Sequence, residues 1–277
     1  MIELGKIQTL TVQRIKEFGV YLGESAKDEQ SVLLPKKQVP AGTAIGDQIQ
    51  VFIYKDSEDR LIATTSQPKL QVGEVAMLQV KDAARIGAFL DMGLEKDLLL
   101  PFREQNHKVR KGEQCLVALY VDKSRRLAAT MNVYSYMSAD SPYKKDDRVS
   151  GTIYEINENL GAFVAVDNRY YGLIPRKELY GSFRVGDQVE ARVIKVRDDG
   201  KLDLSPREKA YMQMDADALL VLKVIDEFDG VLPFNDKAKP ETIMREFQMS
   251  KNAFKRAVGR LLKEGRIRIT EKTIERI

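Results

Sequence analysis

The chain has 277 residues, with 45 Lys+Arg against 41 Asp+Glu, a net charge of +4, and 43% hydrophobic and 31% charged residues. That composition excludes extensive disorder, and the longest uncharged apolar runs, such as Ala218-Leu219-Leu220-Val221-Leu222, fall far short of the roughly 20 residues a membrane-spanning helix needs. One cysteine, Cys115, excludes an intramolecular disulfide framework and a thiolate-rich zinc site; with a first segment that lacks a leader pattern, it sets the expectation of a reducing cytoplasm.

In chain order, the first predicted element is a strand over 7–15. Phe18-Gly19-Val20-Tyr21-Leu22, Val32-Leu33-Leu34-Pro35, a Gly46-Asp47 turn, a strand over 49–54 and one over 61–65 follow it. The same order returns as 75–80, Ile86-Gly87-Ala88-Phe89-Leu90, Leu98-Leu99-Leu100-Pro101, Gly112-Glu113, 115–121 and 127–130. It returns again as 149–156, Leu160-Gly161-Ala162-Phe163-Val164, Gly172-Leu173-Ile174-Pro175, Gly186-Asp187, 189–196 and 202–205. Gly19 to Gly87 is 68 residues and Gly87 to Gly161 is 74; Gly46 to Gly112 is 66 and Gly112 to Gly186 is 74. Two independent landmarks thus give a repeat of about 70 residues. Five short strands per repeat fit a small, partly closed barrel. The short segment 66–70 should hold the first two barrels close, while 131–144 is long enough for a hinge.

After Ser205 the pattern changes. Residues 206–215 read as a linker or short connecting helix. Leu219, Leu220, Leu222, Val224 and Ile225 then form one broad apolar helical side ending at Gly230. Pro240 opens a second helix to Phe247. Ser250 caps a third, whose Phe254, Ala257, Val258, Leu261 and Leu262 make one stripe. Ile267-Arg268-Ile269 and Thr273-Ile274-Glu275 read as a β-ribbon, so the tail is predicted to be a winged helix. From Lys251 to Lys272 eight cations face two anions, a net of +6, more than the whole chain carries.

The third repeat's Gly161-Ala162-Phe163-Val164, Gly172-Leu173-Ile174, Val185-Gly186-Asp187-Gln188-Val189 and Leu204-Ser205 resemble the S1-type RNA-binding OB fold. The first two repeats are diverged versions. The whole chain resembles the conserved virulence factor B (YitL-like) family of bacterial proteins. The most specific part is Leu232-Pro233-Phe234-Asn235-Asp236-Lys237, Pro240-Glu241 and Met249-Ser250-Lys251 with Phe254-Lys255. The expected fold is therefore mainly β with a C-terminal α+β module. Three tandem S1-type OB-fold barrels (1–66, 67–135, 144–207) precede a winged-helix domain (214–277). The resemblance implies RNA binding with effects on gene expression.

It also implies site residues. The stacking aromatic after Gly-x falls on Tyr21, Phe89 and Phe163. The position before Gly falls on Phe18, Ile86 and Leu160, so the first repeat alone keeps both aromatics. The family's histidine falls on Pro35, Pro101 and Pro175, which removes that contact. A late acid and base are kept as Asp56/Arg60 and Asp122/Arg126, whereas the third repeat has Arg197 and Lys201. Each aromatic is either a barrel-core position or an exposed platform; alternation puts Phe163 on the side opposite Ala162 and Val164. Tyr170 and Tyr171 beside Arg169 suit single-stranded RNA. Lys251, Lys255, Arg256, Arg260, Lys263, Arg266 and Arg268 are candidate phosphate contacts on the tail.

No enzymatic pattern competes. His107, the single histidine, sits in a polar loop, Asp198-Asp199 in a hairpin turn, and Cys115 in an apolar strand. No phosphate loop or zinc-protease motif is present, so neither metal nor cofactor is expected. Single-stranded RNA is the expected partner and no membrane is. A DNA-binding regulator led by the winged helix, or a scaffold on the transcription or translation machinery, are the competing readings.

Overall fold

The computed structural model describes residues 1–25, 30–179, 182–206 and 210–277, with side chains from 216 onward in the last segment. It divides into two compact units, Met1–Pro206 and Arg207–Ile277.

Three five-stranded sheets make the first unit. β1 (Ile7–Lys16), β2 (Gly19–Gly23), β3 (Val32–Pro35), β4 (Gln48–Lys55) and β5 (Leu61–Thr64) close into a barrel in the order β1-β2-β3-β5-β4. β6 (Val75–Ala84), β7 (Gly87–Leu90), β8 (Leu98–Pro101), β9 (Gln114–Val121) and β10 (Leu127–Thr130) follow the same circuit, left open between β8 and β10. β11 (Arg148–Asn157), β12 (Gly161–Val166), β13 (Tyr170–Pro175), β14 (Gln188–Val196) and β15 (Leu202–Ser205) close again.

Alternation along the second strand of each repeat sets the core. Val20 and Leu22, Ala88 and Leu90, and Ala162 and Val164 are buried inside, while Tyr21, Phe89 and Phe163 point out. Gly19, Gly87 and Gly161 all have positive φ, and a Cβ on any of them would collide with the carbonyl oxygen of Leu34, Leu100 or Ile174. Glycine is there because strands two and three cross with no room for a side chain.

The barrels are packed together. Phe52 of β4 is buried within the core of the second barrel, and the Gly5 carbonyl accepts from Val72 N at 2.9 Å. Arg126 holds Asp59 through two nitrogens, and Lys96 Nζ donates to the Asp56 carbonyl at 3.0 Å. Between barrels two and three, Val75, Leu116 and Ala118 meet Tyr154 and Ala165.

The expected hinge over 131–144 is corrected by the structure. A 3-10 turn, Val133–Tyr136, places Val133 and Met137 in that same buried cluster. Ser138 N donates to the Arg169 carbonyl at 2.7 Å, and Tyr171 N donates back to the Ser138 carbonyl at 3.3 Å. Exposing a buried Val or Met side chain costs about 1.5–3 kcal/mol each, so this segment is a strap.

The second unit is α1 (Ala210–Glu227), β16 (Val231–Leu232), α2 (Pro240–Phe247), α3 (Lys251–Lys263), β17 (Ile267–Ile269) and β18 (Ile274–Arg276), with sheet order β16-β18-β17. α1 begins inside the stretch read as a linker or short connecting helix, of which 207–209 lie outside the described residues. Its buried face is Ala218, Val221, Leu222 and Ile225 with Val224; Leu219 and Leu220 are exposed, which narrows the expected apolar side. In α3 the stripe is Phe254, Ala257, Val258 and Leu261, and Leu262 is likewise exposed. Ser250 Oγ accepts from Ala253 N at 3.2 Å, as a cap should. β16 was not expected; a two-residue strand has no readable period. Among the described residues no helix is long and apolar enough to cross a membrane.

Candidate nucleic-acid interface

The three outward aromatics occupy equivalent places, each paired across to a leucine: Tyr21 to Leu33, Phe89 to Leu99 and Phe163 to Leu173. Their surroundings differ. On the first strand of each repeat, the residue opposite the aromatic is Arg14, Asp82 and Glu155. A cation therefore faces the ring in the first barrel and a carboxylate in the other two. The Arg14 guanidinium lies 4.8 Å over the Tyr21 ring, while Phe18, 56% exposed, meets Tyr21 edge-on at 6.2 Å. Cation and rings form an open, positively charged stacking surface. The sequence reading missed Arg14, although it lies seven residues before Tyr21, where Asp82 stands before Phe89.

In the third barrel Phe163 is half-buried. Its ring lies 6.1 Å from that of Tyr154, on the cluster shared with the second barrel. A freely exposed Phe163 is thus not what the fold presents, because the strap and barrel two cover that side. Tyr154 is buried, its hydroxyl has no hydrogen-bond partner among the described residues, and burial raises its phenol above the usual range. The strap contributes a ring of its own. Tyr134, 49% exposed, lies 4.8 Å from the Tyr171 ring, and the Lys201 ammonium sits 5.3 Å from Tyr171 and 5.9 Å from Tyr134. Tyr134 went unread because the segment carrying it was read as a hinge.

Tyr170, the neighbour of Tyr171, turns the other way. Its ring meets Tyr143 edge-on at 6.1 Å, and Arg169 covers it at 5.4 Å. The structure therefore does not bring Tyr170 and Tyr171 together into one platform. Arg197 and Lys201 are also less available than expected. Arg197 Nε is 3.7 Å from Asp203, and Lys201 Nζ is 3.1 Å from Asp199, which with Tyr134 holds the ammonium pKa above its ordinary value.

Phe89 is half-buried and lines a cavity between the first two barrels. The expected acid–base pairs there divide. Asp56 binds Arg60 at 2.8 Å, but Arg126 gives Asp122 only its backbone N–H while its guanidinium bonds Asp59 and holds that carboxyl below the usual range.

On α3, Lys255, Arg256 and Lys263, and just after it Arg266, are exposed and have no ion-pair partner among the described residues. Arg260 instead pairs with Glu264 at 2.7 Å and Arg268 with Glu275 at 2.6 Å, while Lys251 Nζ reaches the Lys237 carbonyl. Two of the expected phosphate contacts are thereby neutralised. His107 bonds Asn106 and Glu113 at 2.7 and 2.6 Å. Burial, then Glu113, pushes the Cys115 thiol up to about 12, which makes it a poor nucleophile.

The S1 domain family model matches residues 4–66 and 72–132. The model for the second domain of virulence regulatory factor CvfB matches 134–208, and that for the CvfB-like winged helix domain matches 220–275. The Bacillus subtilis protein YitL is 31% identical over 274 residues, covering 95% of this chain and 90% of the relative. The chain belongs to the conserved virulence factor B (YitL-like) family. Conserved virulence factor B of Staphylococcus aureus strain N315 is 29% identical over 271 residues, covering 92% of this chain and 89% of the relative. A Streptococcus pneumoniae crystal structure of a multidomain protein with nucleic acid binding domains aligns at a TM-score of 0.49 and 24% identity, covering 99% and 98% of the two chains. The matched models are thus S1 domains, the second domain of a virulence regulatory factor and its winged helix.

Proposed function

We propose that this chain is a non-enzymatic, cytoplasmic RNA-binding regulator that holds single-stranded RNA and acts on gene expression after transcription. The observation that carries the reading is the open Arg14–Tyr21–Phe18 surface of the first barrel, with a cation over one ring and a second ring in solvent. Such surfaces take bases by stacking and phosphates by charge, whatever the sequence. The modules at 1–66, 67–135, 144–207 and 214–277 act in tandem. Tyr134 and Tyr171 add a second platform, and Lys255, Arg256, Lys263 and Arg266 add phosphate contacts. Weak sites on one strand gain avidity when they are held at fixed spacing, and the packed seams of the first unit supply that spacing.

One observation favours a second reading. The free cations lie on and just after α3, the helix that enters the major groove in helix-turn-helix proteins. Titrating the intact chain with single-stranded RNA, single-stranded DNA and duplex DNA at matched salt separates the two. Tighter binding to single-stranded RNA supports the proposal, and preference for the duplex overturns it.

A further inference from the structure

A cavity of about 300 Å³ lies at the junction of the first two barrels. Tyr54 and Lys55, at the end of β4, form one wall; Phe89, Met92, Leu98 and Leu99 of the second barrel form the other. We propose that this cavity binds a single nucleotide, its base against Tyr54 and Phe89 and its phosphate on Lys55; the inference rests on the RNA-binding reading above.

The argument is one of size and unspent donors. The volume is at the lower end of ligand pockets, which run roughly 300–1,000 Å³, so it admits one nucleotide and no run of stacked bases. Two rings, one from each barrel, and aliphatic side chains suit a planar aromatic group.

The other charged groups around the cavity are already engaged. Arg126 is held by Asp59, and Asp97 by Lys81 at 2.8 Å. Lys96 is held by the carbonyls of Asp56 and Lys55 at 3.0 and 3.3 Å. Asp122 accepts from the Ser124 hydroxyl at 2.7 Å and from Arg126 N at 2.9 Å. Among the described residues the Lys55 ammonium and the Tyr54 hydroxyl make no hydrogen bond or close ion pair, although Lys55 is near enough to Asp59 to help lower its carboxyl pKa. Burial, then Glu95 and Asp56, raises the Tyr54 phenol above its ordinary value, so at neutral pH it stays a donor. Donors with no hydrogen bond of their own beside an aromatic wall suit an anion that carries a flat ring, which is the chemistry of a nucleotide.

The phosphate is either that of a free mononucleotide or that of one residue in a strand. Calorimetric titration of the intact chain with uridine 5′-monophosphate, adenosine 5′-monophosphate and uridine tests the site. Saturable binding of a monophosphate is expected. Lys55→Gln should weaken monophosphate binding by about tenfold, the scale of one charge-assisted contact, and leave uridine unaffected. Phe89→Leu, which keeps an apolar side chain, should weaken nucleotide and nucleoside alike. Competition by a short oligouridylate assigns the site to a residue of a strand, and binding without competition assigns it to free nucleotide; both uphold the cavity as a nucleotide site. Absence of monophosphate binding at millimolar concentration, with oligouridylate affinity unchanged in Lys55→Gln, overturns the inference. The RNA-binding reading is judged apart, by oligouridylate binding to the parent chain.

Discussion

Replacing Phe18 by Ala should separate binding from stability. The ring is 56% exposed and its aromatic neighbour is Tyr21, 6.2 Å away at an interplanar angle of 84°. The penalty for emptying a core site does not apply, and loss of an exposed edge-to-face pair costs at most about 1 kcal/mol. At about 2–4 °C per kcal/mol for a unit of this size, the melting temperature should fall by less than about 4 °C. A base stacked on Phe18 is worth about 1–3 kcal/mol, so the Kd for a short oligouridylate should rise about 5- to 150-fold. Fluorescence anisotropy gives the affinity and scanning calorimetry the stability. Leu160→Ala is the matched control, exposed to 54% at the equivalent position but without a ring. Its Kd should move by less than about twofold. Phe18→Ala behaving like this control, with its fold intact, would refute the stacking argument.

Changing Lys255, Arg256 and Lys263 together to Gln should leave the fold intact and weaken binding to every RNA tested, with the slope of log affinity against log salt flattening by about 2, or roughly 0.7 per lost contact; an unchanged slope means a merely solvated face. Phe163→Ala should act on the seam instead, lowering stability by about 1–3 kcal/mol because a half-buried ring leaves the contact with Tyr154. Undisturbed melting with weakened RNA affinity would show that Phe163 is a stacking platform after all. Asp59→Asn should lower the melting temperature at neutral pH by breaking the bond to Arg126 across the first seam. Since Arg126 depresses the folded-state pKa of Asp59, that stabilisation is present above the unfolded pKa of about 4 and is lost as pH falls through the lower folded value, so the gap between parent and variant should close in acid. A gap independent of pH would contradict this.

What could be read from the sequence was whatever recurs or has a local cause. Gly19, Gly87 and Gly161 recur because strand crossing leaves no space for a Cβ, so their spacing announced three copies of one sheet circuit. Ser250 and Pro240 announced helix starts because capping is settled within a turn. Contacts between copies left no period to find. Val133 and Met137 look like linker residues until barrels two and three close over them, and Tyr134 acquires a role through Tyr171 and Lys201, far along the chain. Likewise, a net charge counted along α3 is blind to Glu264 and Glu275, which take up Arg260 and Arg268. By its motifs the third repeat looked closest to the S1 pattern, yet the S1 family model matches the first two repeats and the third matches the CvfB second-domain model. Pairing of the first strand with the second also sets them apart, giving the first repeat the arginine opposite its aromatic and the third a glutamate. That distinction lives in strand register, which one bulge shifts.

The most direct test of this account is ultraviolet crosslinking of the intact chain to oligouridylate, mapped by mass spectrometry of the joined peptides. If the open rings hold the strand, the crosslinks fall on Phe18 and Tyr21 of the first barrel and on Tyr134 of the strap. Crosslinks confined to residues 251–268, with none on those three rings, would contradict it and assign the nucleic acid to the winged helix.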